Sequence, residues 1–244
     1  MTEEPYRWLE AIGNRREYIR EQMRGGTPVF ALSRPEGILL LGVGQGQSKV
    51  FEIFDRHAFA ALGHPVDIEK LRQVAIEAAH LEGFNRSSKD VTLRRLISFA
   101  LSTMLKNSFE QIFAPPFIVE SVWAELGGVP AQDVLVRVHH DGNHFYETSG
   151  ALLVHVDQKM EDQAAAWLRE QLKPEHSLKQ CASMCLVAWQ TLVDDKPFAE
   201  LKLPENPPLS ITGKTVEAAL LDRKMTGPVH YRVLDLMRGA SSAS

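Results

Sequence analysis

The residues best suited to chemistry are a threonine behind two glycines and a lysine further along the chain. In "RGGTPVFAL", Arg24 to Leu32, a charged helix-like stretch ends at Gly25-Gly26 and a β-like run begins at Thr27. Cleavage after Gly26 would free a threonine whose own α-amine could activate its hydroxyl. The alternative is a helix stop before a strand, because glycine tolerates the left-handed helix cap. Lys49, which begins an apolar strand, is by itself explained as a solvated strand-end lysine.

A glycine-rich turn and a cysteine pair carry weaker signals. The alternating glycines of "LGVGQGQS" at 41–48 precede the strand-like "KVFEIF" at 49–54, whereas a phosphate-binding loop needs a helix to follow it. We therefore predict a tight turn between strands. Cys181 and Cys185 share the apolar face of a predicted helix, which favours burial in the core over thiol chemistry.

Three histidines cluster near one predicted turn. His139, His140 and His144 flank the Asp141-Gly142 pair, a strong hairpin signal. Imidazole clusters do bind metals, but adjacent residues of a strand point to opposite faces. We therefore expect an exposed hairpin and no metal site.

Composition narrows the function classes. The 244 residues are 44% hydrophobic and 24% charged, with a net charge of −4, so one large globular domain fits and no basic field points to nucleic acid. Two cysteines indicate a reducing compartment, and we expect a cytoplasmic protein without a cofactor. The acidic start "MTEEPYRW" lacks the apolar segment of a secretory signal, and no apolar run reaches the ~20 residues of a membrane span.

The order of elements predicts an α+β protein. A helix over 5–24 precedes four strands, two helices, four more strands, two helices and two final strands. The first helix of the central pair is expected to start at the N-cap Asp67, and the second to run from after Asp90 to about Phe113. Two sheets with a pair of helices on each outer face would bury every apolar face, as a four-layer αββα sandwich with an N-terminal helix. The strands are predicted at 28–33, 37–43, 49–54, 57–62, 117–126, 132–140, 143–148, 151–156, 214–222 and 228–234, and the later helices near 159–172 and 176–193.

The segment Ser48 to Phe84, "SKVFEIFDRHAFAALGHPVDIEKLRQVAIEAAHLEGF", resembles proteasome subunits, and most of all the bacterial proteasome α subunit. That family has a lysine-led strand ending in a "YDR"-like turn, a "GFAAAG"-like strand and a helix with an "LRR"-like patch. This chain has "FDR" at 54–56, "AFAALG" at 58–63 and "LRQ" at 71–73. Further segments resemble later parts of the same subunits in the same order, so the resemblance covers roughly residues 5–236. They are "KDVTLRRLISFALSTML" at 89–105, "LVRVHHDGNHF" at 135–145 and "TVEAALLDRK" at 215–224.

The resemblance implies a sandwich of the Ntn-hydrolase type, in agreement with the predicted order of elements. It also implies a non-catalytic role in an α ring, in which seven copies form a homo-heptamer on top of a ring of peptide-cleaving β subunits. Such a ring gates the passage of protein substrates and binds the C-terminal tail of a regulatory AAA ATPase.

In catalytic β-type relatives a pro-segment is removed, the freed threonine becomes the nucleophile, and a carboxylate holds a nearby lysine. Thr27 and Lys49 match the threonine and the lysine. Nothing between residues 37 and 51 is acidic, and Val43 stands about where the acid would be. The segment "EYIREQMRGGT" at 17–27 instead resembles the patterned helix of α subunits. We therefore expect an internal, inert Thr27.

The resemblance also divides the chain and assigns other residues. Residues 1–26 would form a retained gate segment and helix, residues 27–236 the αββα domain, and residues 237–244 a disordered tail. In α subunits the lysine that Lys49 matches pairs with the activator's C-terminal carboxylate, and Glu17 and Gly63 match positions that border the same pocket. The gate residues would be Thr2, Glu3, Glu4, Pro5, Tyr6 and Tyr18.

Two alternative functions stay open at this point. One is a catalytic β-type threonine peptidase that cleaves itself at Gly26-Thr27. The other is a stand-alone Ntn-type amidase acting on small molecules.

Overall fold

The structure, a computed structural model, describes residues 4–205 and 207–236, with side chains from residue 7 onward. The predicted N-terminal helix is α1, and the predicted tail at 237–244 lies outside the described residues. In chain order the elements are α1 (Glu4–Met23), β1 (Val29–Arg34), β2 (Gly37–Gly44), β3 (Val50–Phe54), β4 (His57–Gly63), α2 (Pro65–Asn85), α3 (Leu93–Arg95), a π-helical stretch (Leu96–Leu101), α4 (Ser102–Glu110), β5 (Val119–Glu125), β6 (Val134–Val138), β7 (His144–Glu147), β8 (Ala151–Val154), α5 (Gln158–Gln171), α6 (Leu178–Val193), β9 (Thr215–Asp222) and β10 (Tyr231–Val233), with short 3₁₀ turns at Ser88–Asp90, Pro130–Gln132 and Phe198–Glu200.

Within the described residues the strands form two antiparallel sheets of five strands each. The first sheet has the order β10-β9-β2-β1-β8, and the second has the order β3-β4-β5-β6-β7. The long pairing of β2 with β9 brings the last part of the chain beside Gly42, which lies opposite Glu217. This pairing has consequences for the site described below.

Three apolar layers hold the two sheets and their helices together. Along β1, Val29 and Ala31 face the other sheet, while Phe30 and Leu32 face α5 and α6. The side chains of α2, α3 and α4 cover the outer face of the second sheet. This alternation follows from the period of two in a strand, and the predicted four-layer αββα sandwich is confirmed.

The helix α1 closes one end of the space between the sheets. Ile19 and Met23 are buried in the inter-sheet core, whereas Trp8 and Leu9 near its start are exposed. The apolar side chains of α1 are therefore covered by this chain only in its C-terminal half.

Two predicted helix boundaries are wrong. The helix α2 begins at Pro65 behind the N-cap His64, whose ring nitrogen accepts a hydrogen bond from Val66 N, because proline suits a first helical position. Asp67 lies in the first turn and instead accepts a hydrogen bond from the main-chain nitrogen of Ile118.

The second predicted helix is interrupted and shorter than expected. It begins at Leu93 behind the N-cap Thr92, passes through the π-helical stretch Leu96–Leu101 and ends at Glu110. The chain therefore leaves the helix before Pro115-Pro116, which were expected to end it.

No helix among residues 4–205 and 207–236 is long and apolar enough to cross a membrane. Cys181 and Cys185 are fully buried on α6, as predicted, and burial raises the pKa of both thiols.

Candidate functional site around Thr27 and Lys49

Thr27 and Lys49 meet where the chain enters β1 and leaves the turn after β2. Lys49 Nζ donates to the main-chain oxygen of Thr27 at 3.0 Å and to Thr27 Oγ1 at 2.6 Å. Thr27 Oγ1 donates in turn to the main-chain oxygen of Val43 at 2.6 Å. The structure thus places in direct contact the two residues that the sequence suggested as chemical partners.

The alternating glycines make room for the lysine side chain. A Cβ on Gly42 would lie 2.9 Å from Lys49 Cβ, and one on Gly44 would lie 3.6 Å from Lys49 Cε. Gly46 has a φ of +88°, which favours glycine, and a strand follows the turn. The prediction of a tight turn is confirmed, and the glycines also let Lys49 cross close to β2.

A cavity of about 430 Å³ opens beside Lys49. The end of α1, the turn after β2, Gly63 and Lys214 form its wall. Among the described residues, this wall carries two ammonium groups and no carboxylate. The cavity is therefore suited to a small anionic group.

Burial lowers the pKa of Lys49 from its ordinary 10.5 to about 8. The negative charge of Glu217 opposes this decrease, and the positive charge of Lys214 adds to it. Lys49 is therefore cationic at neutral pH but loses its proton more readily than a surface lysine.

Glu217 supplies a carboxylate that sequence reasoning missed. Its Oε2 accepts hydrogen bonds from the main-chain nitrogens of Lys49 at 2.8 Å and Val50 at 3.3 Å. Glu217 reaches this place because β9 pairs with β2, a pairing that only the order of strands in the sheet reveals. No ion pair of Lys49 Nζ occurs within the described residues, so Glu217 holds the lysine's backbone and not its ammonium group.

Gly63 lines the Lys49 cavity, and its backbone requires glycine. Its φ is +136°, and a Cβ there would overlap the main-chain oxygen of Ile118. Glu17 lies on the exposed face of α1, outside this cavity. The structure therefore brings together Lys49 and Gly63 but not Glu17.

Four of the predicted gate residues, Glu4, Pro5, Tyr6 and Tyr18, lie on α1. Thr2 and Glu3 are outside the described residues, and Glu4, Pro5 and Tyr6 form the first turn of α1. Tyr18 lines a different cavity, between α1 and residues 112–116.

The arrangement expected for His139 and His140 is wrong. β6 ends at Val138, so both histidines belong to the following turn, and both are largely buried. Their Nδ1 atoms contact the same carboxylate, Glu120, at 2.8 and 2.7 Å. In the part of the chain that the structure describes, no group of three or more histidine, cysteine or acidic residues could hold a metal ion.

Glu120 belongs to a buried charge cluster below α1. Arg137 forms ion pairs with both Glu120 and Glu161. Although burial opposes its ionisation, hydrogen bonds from His139 and His140 and the charge of Arg137 lower the pKa of Glu120 to about 2. Burial raises the pKa of Glu161 to about 7, although Arg137 favours its ionised form, and Glu120 adds to the rise.

Arg15 anchors α1, and the sequence did not reveal this role. Its guanidinium donates to the main-chain oxygens of Ser108 at 2.9 Å, Ala114 at 2.7 Å and Ile112 at 3.3 Å. A cation satisfies the carbonyl groups at the end of a helix well. Arg15 thereby joins α1 to the end of α4.

The fold is an Ntn-hydrolase-type sandwich, in which two facing sheets lie between pairs of helices. A threonine lies at the entry to the first core strand, and a lysine donates a hydrogen bond to it. No protein-family model matches the chain. A proteasome subunit alpha of Arthrobacter sp. (strain FB24) is 32% identical over 218 residues, which cover 88% of this chain and 84% of that protein. The proteasome subunit alpha of Streptomyces scabiei is 28% identical over 216 residues, 88% of this chain and 81% of that protein.

A shorter match is the proteasome subunit alpha of Actinosynnema mirum, 35% identical over 136 residues. It covers 55% of this chain and about half, 51%, of that relative. The chain belongs to the proteasome α-subunit family, as the sequence resemblance predicted.

Proposed function

We propose that this chain is a non-catalytic α-ring subunit of a bacterial 20S-type proteasome. Seven copies form a ring that stacks on β subunits in the cytoplasm, gates the entry of protein substrates and docks a regulatory AAA ATPase. Membership of the α-subunit family supports the ring role, and the cationic cavity beside Thr27 supports the docking role.

The observation that carries the docking proposal is the pair of lysines in this cavity. The C-terminal carboxylate of an ATPase tail enters the cavity and pairs with Lys49, a charge-assisted contact. Lys214 adds a second positive charge, and the volume of about 430 Å³ accepts the end of a peptide chain. Gly63 borders the tail within the same subunit, and we assign Glu17 to the rim that an adjacent copy contributes.

The start of α1 supports an assembly role for residues 1–26. Trp8 and Leu9 are exposed although Ile19 and Met23 are buried, and exposed apolar side chains of this kind commonly contact partner chains. In the proposed ring they face the neighbouring copy, and the residues before them, with Tyr18 in support, form the gate.

A second candidate, a self-processed threonine peptidase, is favoured by one observation. Lys49 Nζ lies 2.6 Å from Thr27 Oγ1, and burial has lowered the pKa of that lysine to about 8, a setting that would help a nucleophilic hydroxyl. Two features favour the non-catalytic assignment instead. Val43 stands where catalytic relatives carry the carboxylate, and it contacts Thr27 only through its main-chain oxygen. The carboxylate of Glu217 accepts from the main-chain nitrogen of Lys49 and does not pair with the lysine's ammonium group.

Docking is tested with the chain assembled with its β subunit and the ring ATPase encoded in the same genome. Lys49→Ala is expected to leave the assembled particle intact and to abolish ATPase-stimulated degradation of a folded substrate, because the tail loses its cationic partner. Lys106→Ala is the matched control, since Lys106 is an exposed lysine of α4 paired with Glu110.

The chemistry of the tail provides an independent comparison. A synthetic peptide of the ATPase C-terminus with a free carboxylate is expected to accelerate hydrolysis of a fluorogenic peptide, while its C-terminal amide is inert. Stimulation that survives Lys49→Ala, or equal stimulation by acid and amide, would show that Lys49 is not the docking lysine.

A further inference from the structure

The sandwich has two unlike lateral edges. β7 and β8 end the two sheets on one side, and β3 and β10 end them on the other. Strands at a sheet edge have no partner on one side, so edges commonly need cover. The residues along these two edges differ in both shape and charge.

The β7 edge projects aromatic side chains next to arginines. Phe145 and Tyr146 on β7 are 60% and 42% exposed. Arg16 and Arg20 of α1 line a cavity that Phe145 also lines. Arg16 lies 3.8 Å from Asp141, a weak contact, and no ion pair of Arg20 occurs among the described residues. This edge is therefore an exposed aromatic surface with excess positive charge.

The opposite edge is concave. A cavity of about 470 Å³ lies between β3, β10 and α2, with apolar walls that include Phe54, Val229 and Tyr231. Glu52 and Asp55 stand on the same wall, and neither has an ion-pair partner within the part of the chain that the structure describes. The arginine on that wall, Arg72, is already held by Glu69 at 2.7 Å.

We propose that the β7 edge of one copy docks into the β3–β10 edge of the next copy. Phe145 fills the apolar cavity, and Arg16 and Arg20 face Glu52 and Asp55. Because the two patches differ and lie on opposite edges of one sandwich, the contact is heterologous, the kind that closes a ring when the rotation between copies allows it. The inference rests on the proposed ring and names the surfaces that build it.

The test uses two full-length variants, each with one edge blocked. Phe145→Asp places a negative charge where the acidic edge must dock, and Glu52→Lys with Val229→Lys places positive charge in the receiving cavity. Phe99→Asp is the control, because Phe99 is 75% exposed on the π-helical stretch and lines neither the cavity at the β7 edge nor the β3–β10 cavity. Circular dichroism checks that each variant folds, and Phe145→Ser replaces Phe145→Asp where the latter does not.

Native mass spectrometry and light scattering then measure assembly. The wild type and the Phe99→Asp control are expected to form the same large species, and each edge variant alone is expected to be a 27.3 kDa monomer. Loss of a central aromatic anchor weakens an interface by at least about 30-fold. Mixed in equal amounts, the two edge variants retain one intact contact between them, so the expected product is a heterodimer.

The alternative outcomes are separable. Edge variants that assemble like the wild type would overturn this contact and leave the ring in place. A variant that forms homodimers would overturn it in favour of an edge pairing with its own copy. A wild-type chain that stays monomeric at high concentration would contradict the ring itself and this contact with it.

Discussion

Lys49 is expected to lower the free energy of unfolding of the subunit at neutral pH. Burial brings the pKa of Lys49 from 10.5 to about 8, and each pKa unit corresponds to about 1.4 kcal/mol. The charged lysine therefore lowers the free energy of unfolding at pH 7 by about 3 kcal/mol. Lys49→Met keeps an unbranched chain and removes the charge, but it also loses two hydrogen bonds to Thr27, each contributing about 1 kcal/mol. The expected net gain is about 1–2 kcal/mol.

The sign of the pH dependence follows from the same shift. Between about pH 8 and pH 10.5 the unfolded chain holds the lysine proton more tightly than the folded chain does, so the stability of the wild type rises with pH in that interval. Methionine has no proton to lose. The advantage of Lys49→Met is therefore expected to hold below pH 8, to vanish near pH 9 and to reverse above it.

Urea denaturation at a fixed protomer concentration, followed by tryptophan fluorescence at pH 7 and pH 9.5, measures both effects. Lys106→Met, at an exposed lysine, is the control and should change stability by less than about 0.5 kcal/mol. The variant should also fail to respond to the ATPase, so that it gains stability and loses function. A Lys49→Met chain that is less stable than the wild type at pH 7, or a difference that does not change with pH, would refute the reasoning.

Other predictions concern the buried charge cluster around Glu120 and the Arg15 anchor of α1. Because the pKa of Glu120 is held at about 2, Glu120→Gln should cost about 3 kcal/mol at pH 7, and this loss should fade as the pH falls from about 4.5 towards 2. Burial raises the pKa of Glu161 to about 7, so its ionisation opposes folding, and Glu161→Gln should leave the stability at pH 7 unchanged or slightly higher. Urea unfolding of both variants from pH 3 to 7 checks this, and equal losses would contradict it. Arg15→Met should cost about 2–4 kcal/mol and speed amide exchange in α1, whereas Arg16→Met, at an exposed neighbour, should cost less than about 1 kcal/mol. Similar losses at the two arginines would count against the Arg15 anchor.

The layers of the fold could be predicted because local patterns determine them. Val29 and Phe30 alternate between two apolar environments, and that period of two is visible in the sequence. Helix boundaries were harder to predict from the sequence. His64 and Asp67 can both act as the N-cap of α2, and only the preference of Pro65 for the first helical turn favours His64. The π-helical stretch Leu96–Leu101 has no comparable signal in a single sequence.

Only part of the site could be predicted from the sequence, for a related reason. Thr27 and Lys49 stand at recognisable positions, but Glu217 and Lys214 lie far along the chain and arrive only through the pairing of β9 with β2. The same holds for Glu120, which lies on β5 and meets the His139 and His140 side chains of the following hairpin. Long-range contacts of this kind depend on the order of strands, which local patterns do not determine.

The central claim, that the chain is an uncleaved, non-catalytic ring subunit, is tested most directly by mass spectrometry of the purified protein under native and then denaturing conditions. The account predicts a ring of seven chains that releases intact subunits of 27.3 kDa. Subunits that have lost residues 1–26 and begin at Thr27 would contradict it and establish the threonine peptidase instead.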